Sequence, residues 1–120
     1  SYAALTGIDS QKGLEIAMHD HEFYQRLLLV FRDSQRNFAK VFDDAQQSDA
    51  PQDAAHSAHT LKGVAANIGA SGVVQAARNL EELLENGGAN EEVEAVLHQV
   101  LTELSSVIAG LDHFFAMKDS

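Results

Sequence analysis

The sequence predicts an all-α fold: an antiparallel up-down-up-down four-helix bundle with a short extra N-terminal helix. Three observations carry this. Apolar residues recur three and four positions apart over long stretches, the spacing of one helix face. No stretch alternates apolar and polar residues as a half-buried strand does. The stretches are separated by short turns, and helices joined by short turns pack as antiparallel neighbours.

Residues 1–7 form a lead-in with little pattern. Asp9 is placed to cap a short helix ending near Met18, which Gly13 weakens. Asp20 caps a second, long helix that continues to about Gln47. Phe23, Leu27, Val30 or Phe31, Phe38, Val41 or Phe42, and Ala45 supply its apolar face. Residues 46–53 are polar and hold the only proline, Pro51, which suits a first helical turn. The helix that follows runs to about Ile68, with Gly69 as its stop signal. Ser71 is a good cap for the next helix, faced by Val73 or Val74, Ala77, Leu80, Leu83 and Leu84. Asn86-Gly87-Gly88 ends it. Asn90 caps a last long helix, with Glu91, Glu92 and Glu94 near its positive end. Its apolar face repeats from Val93 to Phe115, and Gly110 interrupts it mildly.

A chain of 120 residues is expected to form a single domain, 1–120, and its 45% hydrophobic share suffices for a core. The lack of cysteine excludes a disulfide scaffold and any Cys-based metal site, and it fits the cytoplasm. No apolar run approaches the roughly 20 residues of a membrane helix, and no signal-peptide pattern is visible. The net charge of −10 argues against nucleic acid and against anionic membrane surfaces. From Val41 to Met117 the only Lys or Arg residues are Lys62 and Arg78, against twelve Asp and Glu.

One of those two cations stands in the most informative stretch, residues 55–70. On a wheel of 100° per residue centred on His59, the far side carries Ala54, Ser57, Ala58, Leu61, Val64, Ala65 and Ile68. Around His59 fall Gln52, Ala55, His56, Lys62, Gly63, Ala66 and Ala70. His59 is therefore expected to face outward, in a strip of mostly small side chains. Lys62 shares its face at i+3. Gly63 costs about 1 kcal/mol against alanine inside a helix, a cost usually associated with close approach to the backbone. A nucleophilic imidazole, a nearby cation and steric clearance together suit phosphoryl transfer to and from histidine.

The run Ala58-His59-Thr60-Leu61-Lys62-Gly63, closed by Gly69, resembles the histidine-containing phosphotransfer (HPt) domain of bacterial phosphorelays. Ile8-Asp9, Gly13-Leu14, Tyr24 and Leu28 before Phe31, and Leu80-Glu81 extend the resemblance over most of the chain. The resemblance implies that His59 accepts and donates a phosphoryl group through the ring nitrogen remote from the backbone. It implies that Glu81 hydrogen-bonds the other nitrogen and fixes the tautomer. The expected partner is a response-regulator receiver domain, which brings the phospho-accepting aspartate and Mg²⁺; no cofactor is expected on this chain. The expected setting is the cytoplasm, either as a free-standing protein or as the C-terminal domain of a hybrid sensor histidine kinase; the second is favoured because the chain opens at Ser1 without methionine and with an unpatterned lead-in. No Walker-type glycine loop or kinase signature is present, so the reading is a phosphocarrier without kinase activity of its own.

Each role has a plainer alternative. Lys62 steadies the phosphoryl oxygens, or is an ordinary surface lysine. Gly63, Ala55, His56 and Ala66 admit a docking partner, or are tolerated small and polar surface positions. Glu82 replaces Glu81 if the register is shifted by one. Arg78, one turn before Glu81, meets the phosphoryl group or a partner carboxylate, or pairs with Glu81 or Glu82 along its own helix. His56 and His59 could begin a metal site, but zinc needs three or four ligands, and no metal site is expected. A non-catalytic interaction bundle is the remaining alternative.

Overall fold

The computed structural model describes residues 1–118, so the last two positions of the expected domain lie outside the described residues. It is all-α, with six helices and no strand among the described residues. Helix α1 spans Ser10–Ile16, α2 His21–Gln35, α3 Phe38–Gln46, α4 Gln52–Ile68, α5 Ser71–Glu85 and α6 Asn90–Lys118. A helix of 29 residues is about 43 Å long. Helix α6 therefore accounts for the 44 Å long axis of the molecule.

The two aspartate caps form as the sequence predicts. Asp9 accepts from the Lys12 N–H at 3.1 Å, and Asp20 accepts from the Phe23 N–H at 3.0 Å. Helix α1 stops at Ile16 rather than Met18, because Met18 and His19 take left-handed backbone angles in the turn to α2. The long helix expected over 20–47 is two helices, broken at Arg36 and Asn37. No glycine or proline marks the break. Arg36 is held there by Asp112 of α6, which accepts from both guanidinium Nη atoms. The buried row on α2 is Tyr24, Leu28 and Phe31 rather than Phe23 and Leu27; Phe23 and Val30 remain exposed.

Helix α4 ends in a two-residue turn, Gly69-Ala70. Gly69 is left-handed, its N–H reaching Ala66 O and the Ala70 N–H reaching Ala65 O. This is the Schellman pattern of a helix stop. Ala70, not Ser71, stands at the N-cap of α5, and no side chain caps that helix. Because α4 stops at Ile68, the wheel does not extend to Ala70, which is buried rather than beside His59. Asn90 likewise begins α6 from inside the helix instead of capping it.

Helices α4 and α5 pack on each other more extensively than any other pair, as a hairpin, and α6 packs on α5. Helices α1 and α2 are both pinned to the hairpin turn, α1 through its cap residue Asp9 and α2 through Tyr24. The Asp9 N–H donates to Gly69 O at 2.8 Å, and the buried Tyr24 hydroxyl donates to Ile68 O at 2.8 Å. The lead-in also packs. Leu5 is buried, and Tyr2 stacks on His21 and Phe114. Gly110 does not interrupt α6; a Cβ there would lie 3.1 Å from the Thr6 nitrogen, so glycine lets the lead-in cross the helix. Helix α6 is by length and composition apolar enough to cross a membrane, which the sequence reading did not anticipate. Its apolar residues Val93, Val100, Leu104, Val107 and Leu111 are buried in the helical core.

Candidate functional site

On α4 the core row is Ala54, Ala58, Leu61, Ala65 and Ile68, all buried. That row turns His59 outward, and its side chain is 61% exposed. The two-residue turn sets the register of α5 against α4. Leu80 and Ala77 go into the core, and Glu81, the next residue, meets the flank of α4. Its side chain is only 12% exposed and is engaged at both oxygens. Oε2 lies 2.8 Å from His59 Nδ1, and Oε1 accepts from Lys62 Nζ at 2.6 Å. Glu82 is exposed and takes no part. The structure thus brings His59, Lys62 and Glu81 into one cluster and leaves the rival carboxylate out.

The charge state of this cluster follows from its contacts. Burial alone would raise the pKa of Glu81; the hydrogen bonds from Lys62 and His59 outweigh it, and the carboxyl lies below its usual range. An ionised carboxylate has only acceptors, so the proton in the His59–Glu81 bond sits on Nδ1. In the neutral ring, Nε2 then carries the lone pair.

Lys62 is half-buried and spends its resting contact on Glu81, partly offsetting the carboxylate charge. Gly63 is exposed, and a Cβ built there would meet nothing within 4 Å. Nothing inside the molecule therefore requires glycine at this position. Ala55 and Ala66 are half-buried on the same strip, and His56 is exposed. His56 lines a shallow depression toward α2 and α3 with Phe38, Val41 and Thr60, none of which the sequence reading placed beside it in a site. Arg78 does not pair with Glu81 or Glu82. Glu81 is already occupied, and Arg78 reaches Gln75 Oε1 at 3.5 Å instead.

Lys12 and Ile16 were also missed. Helix α1 brings both to the end of the α4–α5 hairpin, where they share a groove with Ala66 and Arg78. The signal available in the sequence was Gly13, a costly residue in a seven-residue helix. Glycine is needed there because the Tyr24 ring and Ile68 O leave no room for a Cβ. Among the described residues, no group of three or more His, Asp or Glu is arranged to hold a metal ion.

Residues 26–110 match the family model described as the Hpt domain, a span that contains His59, Lys62, Gly63, Arg78 and Glu81. No curated protein and no solved structure gives a match.

Proposed function

The chain belongs to the Hpt domain family, and from that premise we propose that it is a phosphorelay intermediate carrying its phosphoryl group on His59. The family works in histidine phosphotransfer with receiver domains, as phosphocarriers rather than kinases. The observation that carries the assignment to His59 is the 2.8 Å contact of its Nδ1 with Glu81, which leaves Nε2 as the nucleophile on an exposed ring.

In this reading Nε2 attacks the phosphorus of an aspartyl phosphate on a receiver domain. The P–N bond forms as the P–O bond to aspartate breaks, and the aspartate leaves as a carboxylate. Nδ1 keeps its proton, so the phosphorylated ring is positively charged and the Glu81 carboxylate stabilises it. The reverse step passes the group to the aspartate of another receiver. Lys62 neutralises charge on the phosphoryl oxygens, and the rate gain comes from positioning and charge neutralisation. This chain contributes no cofactor; Mg²⁺ is supplied with the receiver. Gly63, Ala55, His56 and Ala66 form the strip on which the receiver docks. The supporting scaffold is one cytoplasmic domain in which α2 with α3, then α4, α5 and α6, run up-down-up-down, with α1 covering one end.

The test is incubation with a receiver domain phosphorylated on aspartate. The chain is expected to take up acid-labile label, and His59→Gln is expected to abolish uptake. Full labelling of a folded His59→Gln variant would sink the assignment.

A further inference from the structure

Arg26, Arg32, Arg36, Lys40 and Lys62 each lie within ion-pair distance of a carboxylate. Among the described residues, Lys12, Arg78 and Lys118 are in no ion pair, although the chain carries 18 Asp and Glu against 8 Lys and Arg; of these three, Lys12 and Arg78 lie together. The two line one open groove of about 330 Å³ between α1 and α5, floored by Ala66. Ile16, 47% exposed, and the half-buried Val74 give it apolar walls.

The groove shares the face that carries His59. Ala66 is two turns beyond His59 on α4, about 10 Å along the axis. Arg78 is one turn before Glu81 on α5. A standard protein interface covers about 800 Å² on each partner, a disc of roughly 16 Å radius. A protein that docks over His59 closely enough to reach Nε2 therefore covers the groove as well. Covering it removes water from two cations that have no carboxylate of their own. That costs free energy unless the incoming surface supplies the opposite charge.

We propose that this groove selects the docking receiver domain. It takes a segment of the receiver that carries a carboxylate beside an apolar side chain. The carboxylate sits between Lys12 and Arg78, and the apolar group sits against Ile16 and Val74. The proposal rests on the phosphocarrier reading above. The α1 wall of the groove lies outside residues 26–110, so it belongs to this chain beyond the part that the family model matches.

The test measures transfer from a panel of acetyl-phosphate-charged receiver domains to the full chain, against receiver concentration and at low and high salt. Lys12→Glu combined with Arg78→Glu changes two exposed side chains, and circular dichroism checks the fold. For the productive receiver, the half-saturating concentration is expected to rise about tenfold, with the saturating rate unchanged and the salt dependence flattened. Reversing the receiver's acidic segment to lysine is expected to restore binding to the double variant. An unchanged half-saturating concentration and salt dependence in the folded double variant would overturn the groove and leave the phosphocarrier reading standing. Absence of transfer from every receiver to the wild-type chain would overturn both. If the double variant does not fold, Lys12→Gln and Arg78→Gln are measured singly; each is expected to cost a few-fold in half-saturation, and no change in either would overturn the groove.

Discussion

Two carboxylates in this molecule each stand between two basic side chains. Asp112 on α6 accepts from Arg36 at 2.6 and 3.1 Å, with Arg32 Nε 3.8 Å away. Glu81 on α5 meets His59 at 2.8 Å and Lys62 at 2.6 Å. Both carboxyl groups lie below their usual range, Asp112 through its hydrogen bonds from Arg36 and Glu81 through Lys62 and His59 against its burial. They differ in two respects. The Asp112 side chain is 44% exposed and Glu81 is 12% exposed. Arginine has no lone pair to offer, whereas imidazole has a second nitrogen. A carboxylate that grips a guanidinium ties two helices together. A carboxylate shielded from water that grips one imidazole nitrogen leaves the other as a nucleophile.

The sharpest way to break this comparison is to remove each carboxylate in turn and measure phosphoryl transfer. Glu81→Ala is expected to slow transfer on the order of 10–100-fold, by analogy with the loss when the hydrogen-bond partner of a metal-ligating histidine is removed. Asp112→Ala is expected to leave transfer unchanged. Glu81→Gln keeps an acceptor for the Nδ1 proton and is expected to recover most of the loss. Equal losses in Gln and Ala would assign the effect to the charge of Glu81 rather than to its hydrogen bond.

Lys62→Ala sharpens the same contrast from the cationic side. Lys62 is 26% exposed, so its pull on a phosphoryl group is weaker than that of a buried donor. A loss of about tenfold in transfer rate is expected, with the fold intact by circular dichroism. Gly63 then separates docking from stability. With only open space around its Cβ position, Gly63→Ala is expected to stabilise the chain to thermal unfolding by about 1 kcal/mol. Gly63→Leu is expected to keep helicity but weaken receiver binding. Normal receiver affinity in Gly63→Leu would remove the docking role proposed for this face.

The elements that were legible in the sequence are those fixed by local chemistry. Asp9 and Asp20 cap their helices, and Gly69 stops α4, because each acts on backbone groups within a few residues. The outward direction of His59 was legible because the apolar row opposite it is regular. Long-range consequences were not. The break at Arg36 and Asn37 coincides with a pairing of Arg36 to Asp112, 76 residues away in sequence. The choice of Glu81 over Glu82 needed the hairpin register, since adjacent residues point about 100° apart. The resting contact of Lys62 was hidden for the same reason. Spacing places Lys62 beside His59 on α4, but only the packing of α5 puts one carboxylate in reach of both.

The smallest expected effect concerns stability rather than transfer, and it tests whether burial is what separates the two carboxylates. Both have folded pKa values below their unfolded ones, so each contributes stability above its unfolded pKa and loses it as pH falls through the folded value. Wild type and either Glu81→Gln or Asp112→Asn should therefore differ near neutral pH and converge in acid. Salt should then divide the pair. Exposed ion pairs contribute little, and salt screens them, whereas a shielded carboxylate is screened much less. In thermal unfolding at low and high salt, the Asp112→Asn difference is expected to shrink toward zero and the Glu81→Gln difference to persist. If both differences vanish in salt, water reaches Glu81 as freely as Asp112. The shielded hydrogen bond would then no longer support the proposal that His59, rather than either arginine, is the group held ready for transfer.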